Sequence, residues 1–185
     1  MGNGGRGGTT GTAGTGGGTC VPISKQLLLD PNFDLADGSW TEASLSGYAI
    51  ITTPPSGVPA QTSPNVGWEG GYLSSQDDLY QDVMVPANAT SITFSFYYLI
   101  GTQETGASAY DQMAAYVFDP TTQQGTTLVT FSNLDESTQW MQFSAQIPLT
   151  WAGRVAEFGF YAQTDNQLNT NFFIDSASVT VVACP

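Results

Sequence analysis

The chain has no histidine and only three basic residues, Arg6, Lys25 and Arg154, against sixteen acidic ones in 185. The missing imidazole removes Ser-His-Asp and Cys-His nucleophile systems, His-ligated zinc and histidine general bases together. The missing cations remove phosphate-backbone binders, because at a net charge of −13 nothing displaces the counterions around a nucleic acid. The same balance opposes an anionic membrane surface. No apolar run reaches the ~18 residues of a membrane span. Cysteine is scarce too, and two of them without histidine do not complete a zinc site. Charged residues make up only 10%, yet 41% are hydrophobic and 12% aromatic, and a disordered acidic chain would lack those aromatics. What remains is a folded acidic domain with a core of ordinary size and no complete catalytic constellation.

Two materials share the chain. In residues 1–19, ten are Gly and five are Thr, with no aromatic, Leu, Ile or Val. Such a stretch reads as a flexible tail or linker. It has no apolar h-region of a signal peptide, and its glycines lead into no Lys-Ser/Thr of a phosphate loop. Residues 20–185 form the domain. Cys20 and Cys184 bracket it, which suggests a staple between its first and last strands, the alternative being two free thiols. Paired, they would contribute on the order of 4–5 kcal/mol in the chain-entropy description, and the pairing points to an oxidising, extracellular compartment.

From residue 20 onward the pattern is strand after strand. Ser91–Ile100 is the clearest: Ile92, Phe94, Phe96, Tyr98 and Ile100 share one face, with Thr93, Ser95 and Tyr97 on the other. Val21–Leu29, Tyr48–Thr52, Leu79–Val85, Gln112–Phe118, Thr126–Phe131, Trp140–Ile147, Val155–Ala162 and Phe172–Val182 complete the set. The last run breaks its alternation near Asp175 and Ser176, which predicts a bulge. Turn clusters rich in Pro, Gly, Asn, Asp and Ser separate the runs, and no stretch keeps helical spacing. About nine short strands predict an antiparallel β-sandwich of jelly-roll type.

Three stretches carry a resemblance. They are Asp30-Pro-Asn-Phe-Asp34 with Asp37-Gly-Ser-Trp40; Gly67-Trp-Glu-Gly-Gly-Tyr72 running through Asp78-Leu-Tyr-Gln81 to Thr90; and Thr102-Gln-Glu-Thr105, Ala109-Tyr-Asp111 and Asn171-Phe-Phe-Ile-Asp175. In this order they resemble jelly-roll accessory modules of secreted bacterial proteins, similar to carbohydrate-binding modules and MAM-like domains. The resemblance implies a structural calcium between the first and last strands, with Asp34 and Asp175 as side-chain ligands. Two positions depart from the pattern: Asp34 stands where Glu is usual, and Ser176 where a second Asp is usual. Calcium needs six to eight oxygens, which carboxylates and loop carbonyls supply. The alternative is that both are turn residues bonding backbone amides.

Glu104, Asp111 and Asp165 lie next to strand ends and form a second, weaker candidate metal group, or simply solvated loop tips. Trp68, Tyr72, Tyr80, Tyr97, Trp140 and Trp151 are the aromatics on which a sugar ring could stack. Of these, Trp68 and Tyr72, with Glu69 between them, are the candidate ligand-binding residues; packing at the sandwich ends is the competing reading for Trp68. The adjacent acids Asp77-Asp78 and Asp135-Glu136 face opposite ways on an extended chain, so they do not form a facing catalytic pair.

The expectation is a secreted, non-catalytic module that binds an extracellular polysaccharide or surface polymer and carries a structural calcium. The alternative is a structural subunit of an extracellular filament or coat that assembles with copies of itself through its Gly/Thr tail. Neither reading involves nucleic acid or membrane insertion.

Overall fold

The structure, a computed structural model, describes residues 20–35 and 38–184. The Gly/Thr tail expected over 1–19, and Asp37 of the opening motif, lie outside the described residues. Eleven strands are present among those described: β1 (Ile23–Gln26), β2 (Thr41–Ser44), β3 (Ile51–Thr52), β4 (Val66–Gly70), β5 (Gln76–Met84), β6 (Ala89–Thr102), β7 (Gln112–Asp119), β8 (Gln124–Ser132), β9 (Met141–Gln146), β10 (Val155–Gln163) and β11 (Thr170–Ala183). They form two antiparallel sheets. The first runs β3-β4-β11-β6-β9, with β1 also on β11; the second runs β2-β5-β10-β7-β8. This is the expected jelly-roll β-sandwich.

Side-chain alternation builds the core. Ile92, Phe94, Phe96 and Ile100 on β6 are fully buried, as are Ala156, Phe158, Phe160 and Ala162 on β10. Phe94 lies 5.3 Å from Phe158 and Phe96 lies 4.8 Å from Phe160, centroid to centroid, both edge-on. That geometry suits the aromatic quadrupole. Tyr98, expected on the same face, is half-buried and packs its ring 4.1 Å from Phe131 at the core margin.

The bulge falls where the broken alternation placed it: the β11–β6 register shifts between Asp175 and Ser178, and Ser176 has φ +50°. Before the bulge β11 pairs with β4, and after it with β1. Two strands lie outside the runs read from the sequence, β2 and β4. In β4 the Gly-rich Val66-Gly-Trp-Glu-Gly70 holds as a strand because β3 and β11 bond it on both sides. Tertiary pairing overrides weak local propensity there. Gly70 has φ +70°, and a Cβ on it would lie 2.5 Å from the Thr170 carbonyl oxygen, so this exit from β4 requires glycine.

Cys20 and Cys184 form a disulfide, their Cα atoms 5.7 Å apart, tying the entry of β1 to the end of β11. Phe96 also contacts the rings of Phe131 and Phe143, so it meets both sheets. We expect Phe96→Ala to cost about 3–5 kcal/mol in guanidinium unfolding; a loss below about 1 kcal/mol would contradict this account of the core.

Candidate functional site

The two outer faces differ. On the first sheet, Val66, Leu99 and Phe173 form a second small apolar cluster, covered by Val58, Ala60, Trp68 and Trp140. The loop between β3 and β4 is pinned there: Trp140 Nε1 donates to the Pro59 carbonyl at 2.9 Å, and Thr62 donates its amide and hydroxyl to Asp175 at 2.8 and 2.7 Å. Among the described residues, the outer face of the second sheet has no such cover. Its outward row on β10 is Glu157, Gly159, Tyr161 and Gln163, flanked by Asp78 and Tyr80 on β5 and by Gln112, Ala114 and Tyr116 on β7.

Three hollows of about 480, 340 and 580 Å³ meet at Tyr161 on this face. In register, Tyr161 stands between Asp78 and Ala114. Because Ala114 carries only a methyl group, one side of the Tyr161 ring is left open, and the residue is 38% exposed. Thr126, Thr127 and Thr130 of β8 wall the trough on one side; Leu45, Gly47 and Tyr48, from the loop after β2, wall it on the other. An aromatic floor with amide, hydroxyl and carboxylate groups around it offers a sugar both stacking and hydrogen bonds.

One glycine fixes the centre of this trough. A Cβ on Gly159 would lie 2.6 Å from the Tyr116 hydroxyl and 2.7 Å from Tyr80 Cβ. Its absence lets the Tyr116 side chain cross β10, where its hydroxyl sits 2.8 Å from both Asp78 Oδ1 and Glu157 Oε1. A single hydroxyl proton serves one acceptor at a time, so the trio is fully satisfied when one carboxyl holds a proton. Burial pushes both carboxyls up, offset by the Tyr116 bond, and for Glu157 the charges of Asp78 and Asp82 push the same way as burial. Burial and the two carboxylates drive the Tyr116 phenol far above its ordinary value, so it stays a donor. The pair of facing carboxyls is Asp78 with Glu157, on neighbouring strands. Sequence adjacency did not reveal it, although the inward Phe158 and Phe160 already implied that Glu157 and Tyr161 face outward.

The residues singled out from sequence fall elsewhere. Trp68 is half-buried, packs on Phe173 at 5.5 Å and donates Nε1 to Asn171 Oδ1 at 3.0 Å. Tyr72 stacks on Tyr48 at 4.1 Å, and with Trp68 they line a separate hollow of about 240 Å³. Glu69 faces the interior with no exposed surface, and neither carboxylate oxygen has a hydrogen-bond partner of normal geometry. Burial pushes its carboxyl well above the usual range, and the charges of Asp77 and Asp78 add to that, so the neutral acid is favoured. Trp151 is buried, and Tyr80 is half-buried within the trough row.

The structure brings the 30–34 turn to the bulge, since the Ala177 amide donates to the Pro31 carbonyl at 2.8 Å. Asp175 is wholly buried and accepts from Thr62 and from the Ser176 amide; Asp34 Oδ1 is buried and has no partner. Glu104, Asp111 and Asp165 do converge: one carboxylate oxygen from each lies within 4.8 Å of the others.

No protein-family model matches the chain, and no curated protein matches it in sequence. The fold does match solved structures. A family 61 carbohydrate-binding module, solved with β-1,4-galactotriose, superposes at a TM-score of 0.59 and 12% identity over 87% of this chain and 100% of that one. The chain has the β-sandwich fold of carbohydrate-binding modules. A xylan-binding module of family 15 gives 0.51 at 11% identity over 89% of this chain and 97% of that one. The K2 cleaved adhesin domain of Lys-gingipain gives 0.50 at 13%, over 85% and 97%.

The pH dependence of stability follows from the raised carboxyls. Glu69, Asp78, Glu157 and Asp175 each bind a proton more tightly folded than unfolded. Their protonation therefore stabilises the fold; that contribution is complete below the ordinary carboxylate range and is lost as pH rises through the folded values. Asp119 is shifted down, chiefly by the Thr122 amide, and acts only at more acid pH. Thermal unfolding should show Tm rising as pH is lowered from about 8 to about 5, with a flatter profile in Glu69→Gln. A Tm that falls steadily across that window would contradict this assignment.

Proposed function

We propose that the protein is a carbohydrate-binding module whose ligand lies in the trough of the second sheet, stacked on Tyr161. The observation that carries this reading is the contrast between the two faces. One is covered by its own loop, while the other exposes an aromatic ring at the junction of three hollows lined by Gln, Thr, Asp and Glu side chains. The ligand is an extracellular polysaccharide, in keeping with the disulfide and with the galactotriose and xylan named for two fold neighbours. Binding without catalysis is favoured by Tyr116. Its hydroxyl stands between Asp78 and Glu157, in the space a scissile glycosidic oxygen would need.

The test is calorimetric titration of the full chain with β-1,4-galacto-oligosaccharides and xylo-oligosaccharides, alongside retention on the insoluble polymers. We expect saturable binding to one class and a loss of at least about tenfold in Tyr161→Ala, with the sugar recovered uncleaved. Equal affinity in Tyr161→Ala would overturn the placement of the ligand on this ring, and no retention on any polymer with elution as large assemblies would favour the self-associating subunit.

A further inference from the structure

Glu104 opens the loop between β6 and β7, Asp111 closes it, and Asp165 comes from the loop between β10 and β11. Their carboxylate oxygens converge within 4.8 Å. A second observation makes this more than an acidic patch. Asp111 has no exposed surface, and while its Oδ1 accepts the Asp165 amide at 2.7 Å, its Oδ2 is buried without a hydrogen-bond partner. Glu104 Oε1 is likewise buried and unpartnered. So is Oδ1 of Asn169, whose backbone carbonyl accepts from the Gln103 amide beside Glu104. Among the described residues the one ion pair is Arg154 with Asp119 at 3.4 Å, so no basic side chain offsets the cluster. Buried carboxylate oxygens facing one another without donors are costly unless a cation sits among them. An all-oxygen donor set suits a hard divalent ion of the calcium class.

The cluster also touches the trough. Asp165 lines the 340 Å³ hollow, and so does Tyr110, the residue before Asp111. We propose that Glu104, Asp111 and Asp165 hold a divalent cation of the calcium class, and that this cation fixes the Tyr110 end of the trough for ligand. The ion ties together the two loops at that end, so ligand affinity depends on it; this second part rests on the binding reading above.

The test begins with the full chain stripped by chelator and titrated calorimetrically with calcium chloride. We expect one saturable site with a dissociation constant of about 10⁻³ M or tighter and a Tm raised by several degrees in about 10 mM calcium. Glu104→Gln and Asp111→Asn should each weaken calcium binding at least about tenfold, while Asp34→Asn retains it. No saturable binding by the wild type overturns the site. Full binding by the first two variants with loss in Asp34→Asn also overturns it, placing the ion at the 30–34 turn. In the second arm, the oligosaccharide retained by the trough is titrated with and without calcium, and chelation should lower its affinity at least about fivefold. Unchanged affinity overturns the coupling alone. Intact calcium binding with no sugar binding overturns the binding reading and the coupling but leaves the cation site standing.

Discussion

The edge-on packing of Phe94 and Phe96 against Phe158 and Phe160 is the contact on which the other features of this molecule hang. β6 and β10 are each paired on both sides within their sheets, so these rings set both the spacing of the sandwich and the phase of each strand. With Phe158 and Phe160 inward, period-two alternation leaves Glu157, Gly159 and Tyr161 outward. A one-residue slip would bury a glutamate and a tyrosine and erase the trough. The core and the candidate site are thus two faces of one alternation.

The sheets then diverge in what they do with their outer faces. The first spends the loop before β4 as a lid of its own, held by Asp175 and Trp140. Asp175 can hold it because the bulge interrupts the β11 ladder beside that loop. The second sheet places small residues where a lid would need large ones. Ala114 and Gly159 alternate with tyrosines: Ala114 lines the hollows beside Tyr161, and the space over Gly159 takes the Tyr116 side chain. Tyr116 is held across Gly159 by two carboxyls, so a rigid polar centre is built without any basic residue.

Most of the strands were legible because their alternation is long and clean, as in Ser91–Ile100. β4 was not, since two glycines in five residues weaken any strand preference, and its pairing with β3 and β11 is a property of the whole fold. The bulge at Asp175 and Ser176 was readable as broken alternation. The trough was not, because it joins β5 and β10 to the β7–β8 hairpin, segments far apart in sequence, and its central pair, Asp78 and Glu157, shares a hydroxyl from a third strand. Glu69 misled for a related reason. Beside Trp68 in a glycine-rich segment it read as a candidate ligand-binding acid, but once β4 is a strand, Trp68 faces out and Glu69 must face in.

The acid excess that first excluded nucleic acid and membranes has a structural explanation in the loops. Asp30 accepts the amides of Asp34 and Leu35, Glu42 those of Ile50 and Ile51, and Asp77 that of Gly70. Asp119 accepts from Thr121 and Thr122, Asp135 from Ser132, and Asp175 from Thr62 and Ser176. Backbone donors therefore do for these carboxylates what lysine and arginine do in other proteins, through charge-assisted bonds that also shape turns. Such a protein needs many acids and few bases. The same accounting separates the acids that backbone donors leave incomplete. Glu69 faces the interior, where burial and the charges of Asp77 and Asp78 favour its neutral form. Glu104 and Asp111 present buried, unpartnered oxygens to a cluster completed by Asp165. A divalent cation relieves all three at once, which is why the residual charge of this cluster, rather than the total charge of the chain, points to a metal.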